Sequence, residues 1–245
     1  MCFHTSQTKK VVALENKFKV KISDESLIDY FNTPRYHLNG FAHPNMLVIP
    51  QERPDVLAPA VWGIVPNNKN TDEIKPYYKE AVKYGGGLNA RSEKVFQHFI
   101  YKDSIMEKRC IIPVSGFFEP HDQNGKKYPF HFKSKSNDIL ALAGLYTVID
   151  TYITFTVLTK EASPLFEKVH NTKKRQPIIL DEDRTHNWLS VDLRASDIKD
   201  ILKYHYPENN LEVYPVSKDL FNTNVDSNIP SSIERAYYDD LLLKI

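Results

Sequence analysis

The chain has 245 residues, 41% hydrophobic and 26% charged, which is the balance of a globular protein able to bury its own core. Its formal net charge of +1 excludes a broadly basic nucleic-acid binder, so any DNA contact has to come from a local patch. No apolar run reaches the roughly 18 residues of a membrane span, the start MCFHTSQTKK has no basic-then-apolar leader, and Cys2 and Cys110 make neither a disulfide framework nor a zinc-ligand pattern.

In chain order, Leu27, Tyr30 and Phe31 at helical spacing predict a short helix over 25–32, followed by an apolar strand at Asn45–Pro50. The middle is rich in strand signals, at Arg109–Val114, 116–119, 128–133, 139–147 and 152–158, with Asn124-Gly125 as a hairpin turn. In the last of these, Ile153, Phe155 and Val157 alternate with Tyr152, Thr154 and Thr156, as a sheet with one buried face requires. Ser163-Pro164 reads as an N-cap with proline at the first helical position, so a helix is expected over 164–170 with His170 at its end. Further helices are expected at 183–189, at 195–204 with Ile198, Ile201 and Leu202 on one face, and at 231–243. Neighbouring strands without regular helical crossovers predict one α+β domain with antiparallel pairing.

Cys2 carries the most suggestive chemistry. If Met1 is removed, the new terminus holds an α-amine with an ordinary pKa near 7.7–8.0 and a thiol near 8.5, both partly deprotonated around neutral pH. An amine condenses with an aldehyde to an imine, and the thiolate two carbons away closes on the imine carbon to give a thiazolidine. An effective molarity on the order of 10⁵ M or more favours that second step. Position 2 alone also fits a chance residue in a chain terminus.

Several further segments occur in fixed order: WGIVP at 62–66, LNARSE at 88–93, RCIIPVSGFFEP at 109–120, LALAGLY at 140–146 and TVLTKEASPLFEKVHNTKKRQPIIL at 156–180. On these the chain resembles the SOS-response-associated peptidase (SRAP) family, over about residues 2–220. The resemblance leaves 221–245 as a C-terminal extension expected to be helical and packed on the domain. It implies an α+β fold with a β-barrel-like antiparallel core and peripheral helices. It also implies a groove for single-stranded DNA and a cysteine that bonds to the ring-opened aldehyde of an abasic site, shielding the lesion.

The same resemblance carries the catalytic set to Cys2, Asn89, Glu119 and His170, and DNA contacts to Arg91, His4 and Pro44. Asn89 suits orienting the amine or the sugar without titrating, though by itself it also fits a turn residue after Gly85-Gly86-Gly87. Glu119 suits moving protons as the carbinolamine dehydrates; on its own it fits an exposed strand end. His170 suits proton transfer at the sugar ring oxygen, and equally a charge at a helix C-terminus. Cys110, beside Arg109 in an apolar strand, reads as a buried structural thiol. The run Lys173-Lys174-Arg175 can track a phosphate backbone.

Departures from the pattern are His4 where the family commonly has arginine, Asn67-Asn68 where many members have tryptophan after WGIVP, and RYHLNGFAHP in a lengthened segment ending at Pro44. The expected function is covalent, lyase-like crosslinking to abasic single strands, with self-removal of Met1 as associated peptidase chemistry. No cofactor and no metal are expected. The expected form is a monomer without membrane contact, cytoplasmic and nucleoid-associated when bound to DNA. Two rivals explain Cys2 differently: an N-terminal-nucleophile amidohydrolase, and a non-covalent DNA-binding scaffold with an inert cysteine.

Overall fold

The computed structural model describes residues 2–245. The strands are β1 (His4–Gln7), β2 (Lys21–Ile22), β3 (Arg35–Asn39), β4 (Asn45–Pro50), β5 (Val56–Trp62), β6 (Asn89–Arg91), β7 (Arg109–Val114), β8 (Gly116–Gln123), β9 (Lys126–Ser134), β10 (Leu140–Ile149), β11 (Tyr152–Glu161), β12 (Arg175–Pro177), β13 (Ile179–Leu180) and β14 (Leu211–Pro215). The helices are α1 (Val11–Phe18), α2 (Ile28–Asn32), α3 (Thr71–Ala81), α4 (Ser104–Glu107), α5 (Pro164–Val169), α6 (Glu182–Trp188) and α7 (Ala195–Lys203).

β11, β10, β7, β4 and β5 pair in that order, and a parallel pairing of β5 with β11 closes them into a five-stranded barrel. A second sheet runs β14-β9-β8-β1-β3. The fold is thus α+β with an antiparallel barrel core, as expected; the closing pair and the β6–β11 pair are parallel.

Alternation decides the core. On β7, Cys110 and Ile112 join a cluster shared with the second sheet's Phe117, Phe130 and Phe132, while Ile111 joins the cluster that takes Val11, Ile105, Trp188 and Ile198 from the helices. β10 divides in the same way, with Leu140 and Leu142 on one side and Ala141 and Ala143 on the other. A strand apolar on both faces is what a sheet covered on both sides demands.

Three helices, α1, α3 and the single turn α4, went unforeseen in sequence. α3 starts at a capping box in which Asn70 and Glu73 exchange hydrogen bonds, a signal masked by Pro76 within the helix. α1 buries only Val11 and Leu14, too short a stripe to register as periodic. The helix expected at 231–243 is absent: the segment has a 3₁₀ turn at Pro230–Ile233 and then runs extended over the second sheet. Several of its polar groups bond to the domain. Ala236 N–H donates to Pro215 O (2.8 Å), Tyr238 Oη donates to Val216 O (2.8 Å), and Asp240 accepts from Tyr128 Oη (2.7 Å).

Candidate active site

β1 lies between β3 and β8, with His4 opposite Asn39 on one side and Phe118 on the other. Phe3 and Cys2, which precede it, therefore run alongside Glu119 and Pro120. Cys2 turns inward and is fully buried in a cluster with Trp62, Leu88, Phe117 and Phe155. Burial pushes its thiol well above the usual thiol range, and the charge of Glu119 acts in the same direction. The thiol keeps its proton at neutral pH, with Sγ 3.8 Å from His4 O. Cys110 is also fully buried, and burial raises its thiol too.

Glu119 stands opposite Phe130 in the β8–β9 pair and is fully buried. Its Oε2 lies 3.0 Å from Nδ1 of His170, itself buried. That nitrogen is also 3.1 Å from Arg175 O. Both neighbours are acceptors, so Nδ1 carries hydrogen, and in the neutral ring Nε2 is the accepting nitrogen. His170 also closes α5, its backbone N–H donating to Phe166 O (2.7 Å). The other end of α5 is held by Glu208, whose Oε1 accepts from Leu165 N (2.9 Å) and from the Ser163 hydroxyl. The expected N-cap Ser163 makes no capping bond itself.

Asn89 is set by a close approach of two chain segments. Ile64 N–H donates to Gly87 O (3.1 Å), Trp62 Nε1 donates to Leu88 O (2.9 Å), and Asn89 falls in register with Val157 of β11. Both polar atoms of the Asn89 amide are buried, and among the described residues neither has a hydrogen-bond partner. An orphaned buried amide costs about 1–3 kcal/mol, so this one is suited to a ligand that supplies partners. Gly87 permits the approach: its φ is +67°, and a Cβ there would sit 2.5 Å from Ile64 O. Gly87→Ala is expected to destabilise the protein by roughly 2 kcal/mol or more, from the left-handed backbone and the contact together, measured by denaturant unfolding.

Beside this cluster opens a groove of about 860 Å³ with Phe3, His4, Pro120, His170, Lys173 and Phe221 in its walls. The family model described as "SOS response associated peptidase (SRAP)" matches residues 1–223. The chain belongs to that family. It is 28% identical over 225 residues to the abasic site processing protein YoqW of Bacillus subtilis (strain 168), covering 86% of this chain and 94% of YoqW. It is 30% identical over 194 residues to the abasic site processing protein HMCES of Xenopus tropicalis, covering 69% of this chain and 54% of the relative. Among solved structures, a protein from Bacteroides thetaiotaomicron superposes with a TM-score of 0.83 at 26% identity, covering 96% of this chain and all of that one. The chain is thus an SRAP protein whose relatives are named for abasic-site processing.

Within this SRAP chain the expected DNA residues are dispersed. His4 lines the groove, Arg91 is exposed at the end of β6, and Pro44 is half-buried with its carbonyl accepting Trp62 N–H (3.0 Å). Asn67 and Asn68 form an exposed turn ahead of α3. The basic run divides. Lys173 lines the groove and Lys174 pairs with Glu167 (2.6 Å), while Arg175 is buried and held by both carboxylate oxygens of Glu93 (2.8 and 3.0 Å). Arg175 therefore does not track a phosphate backbone.

His37 and Ser227 are among the groove residues not found in sequence; a lone histidine and a serine in a tail carry no signal until folding brings them together. Among the described residues no three His, Cys, Asp or Glu side chains gather as a metal-ligand set, and no helix is long and apolar enough to cross a membrane. Met1, whose removal the sequence chemistry requires, lies outside the described residues.

Proposed function

We propose that this SRAP protein, once Met1 is removed, binds single-stranded DNA at the groove and forms a thiazolidine crosslink between Cys2 and the aldehyde of an abasic site. The observation that carries the reading is the buried Glu119–His170 contact of 3.0 Å, with the charge of Glu119 felt at the Cys2 thiol. Two proton-transferring groups thus stand at the terminus that supplies the amine, and Asn89 adds an unpartnered amide. The amine adds to the aldehyde to give a carbinolamine, water leaves to give the imine, and the thiol adds across the C=N bond. His170 serves proton transfer at the sugar ring oxygen during opening, and Glu119 at the departing hydroxyl.

The high thiol pKa favours attack by the amine first, with the thiol closing the ring afterwards. Incubation with an oligonucleotide bearing one abasic site, followed by denaturing electrophoresis, tests the proposal. The expected product is a heat-stable adduct with the mass of the mature protein plus DNA minus one water, absent with Cys2→Ala. A wild-type protein that yields no adduct would overturn it.

A further inference from the structure

The groove's wall nearest Cys2 is completed by chain that follows the SRAP-matched residues. His4 Nδ1 lies 2.8 Å from His37 Nε2, and His37 Nδ1 lies 2.6 Å from Oγ of Ser227. His4 and Ser227 both line the groove, as does His37 between them. The tail is fixed there by Asn228, whose Oδ1 accepts the backbone N–H groups of Tyr36 (2.8 Å) and His37 (3.3 Å) along β3. β3 ends the second sheet, so Asn228 covers part of an otherwise open edge. Phe221 and Phe118 pack against the two imidazoles, at 5.1 Å from His4 and 5.8 Å from His37.

Burial holds both rings neutral at physiological pH: His4 is pushed down to about 3, with His37 adding to the effect, and His37 down to about 4. Two neutral imidazoles joined by one hydrogen bond leave only two polarities for the chain. When the Ser227 hydroxyl donates to His37 Nδ1, His37 Nε2–H donates to His4 Nδ1, and His4 keeps its hydrogen on Nε2. The reverse polarity leaves Nε2 an acceptor.

We propose that Ser227 and His37 act as positioning residues that make His4 an uncharged hydrogen-bond donor to a DNA phosphate in the groove. The proposal rests on the DNA-binding reading above. It gives the departure at position 4 a physical content: a neutral donor recognises phosphate by hydrogen bonding and releases no counterion, whereas an arginine does both. Lys127 and Lys173 supply positive charge to the same groove, against Asp122.

The test is a double-mutant cycle read by fluorescence anisotropy on an undamaged single-stranded oligonucleotide, with adduct formation on an abasic oligonucleotide run in parallel. Ser227→Ala should weaken binding about fivefold, as the loss of one oriented hydrogen bond implies, with an unchanged salt slope. Ser227→Thr, which keeps the hydroxyl, should restore it. In a His4→Ala background Ser227→Ala should have no further effect, because its influence passes through His4. His4→Arg should steepen the dependence of log K on log salt by about 0.7. Equal losses from Ser227→Ala in both backgrounds would overturn the relay, as would no loss in either. Absence of any wild-type binding to the undamaged strand would instead sink the DNA-binding reading on which it rests, whereas adduct formation reports on the crosslinking reading separately.

Discussion

Replacing His170 with alanine is expected to slow adduct formation on abasic single strands by about 10²-fold or more, the usual contribution of a positioned acid–base group. The imidazole is buried, with Nδ1 shared between Glu119 Oε2 and Arg175 O, and its ring reaches the groove. That orientation commits one nitrogen to holding the ring and leaves proton traffic to the other. Glu119→Gln keeps the shape and removes the carboxylate, and a loss of similar size is expected. The two variants separate by substrate. An oligonucleotide carrying an open-chain aldehyde needs no ring opening, so it should restore the rate of His170→Ala and leave Glu119→Gln slow. Equal rescue of both variants, or of neither, would contradict the division of labour. Melting curves recorded on each variant report separately any loss of stability from breaking the buried Glu119–His170 contact.

The second large effect is on stability. Arg109 is fully buried at the start of β7, and its guanidinium donates to four carbonyl oxygens, those of Ile105, Met106, Trp188 and Ser190. The first two belong to α4 and the third to the end of α6, so one side chain ties two helices to the barrel. Burial lowers its pKa to about 10, and it remains charged at neutral pH. Arg109→Met removes the charge and leaves four acceptors without this donor, two of them buried and two partly exposed. At about 1 kcal/mol or more for each buried group and less for the others, a destabilisation on the order of 3 kcal/mol is expected. In a domain of this size that corresponds to a fall in Tm of roughly 10 °C, readable by calorimetry. Arg109→Lys keeps the charge and should recover part of the loss, because an ammonium cannot span the four positions of the planar fork. A melting temperature unchanged in Arg109→Met would show that the carbonyls find other donors.

Legibility in the sequence varied with the range of the interactions concerned. β4 and β7 coincide with the expected strands, and α5, α6 and α7 fall within a residue or so of expectation, because caps, turns and alternation act over a few residues. β1, β3 and β6 were not foreseen, since their pairing partners lie far away in the chain; β5 was also missed, although it pairs with the preceding β4 as well as with distant β11. The missing helix over 231–243 failed for the same reason in reverse: an apolar pattern compatible with a helix found its hydrogen-bond partners in the second sheet.

By itself the sequence determined the family, the reactive residue types and their order, and an α+β chain with a strand-rich middle. Those depend on covalent order and local pattern. Only the tertiary structure decided that Glu119 and His170, 51 residues apart in number, meet at 3.0 Å, that Arg175 is spent on Glu93, and that the tail reaches back to His37. These are contacts between segments whose meeting is set by barrel closure and sheet order, and burial then fixed the protonation of the Cys2 thiol and of the His4–His37 pair. Chain-distant packing and desolvation leave no periodic trace in a linear sequence.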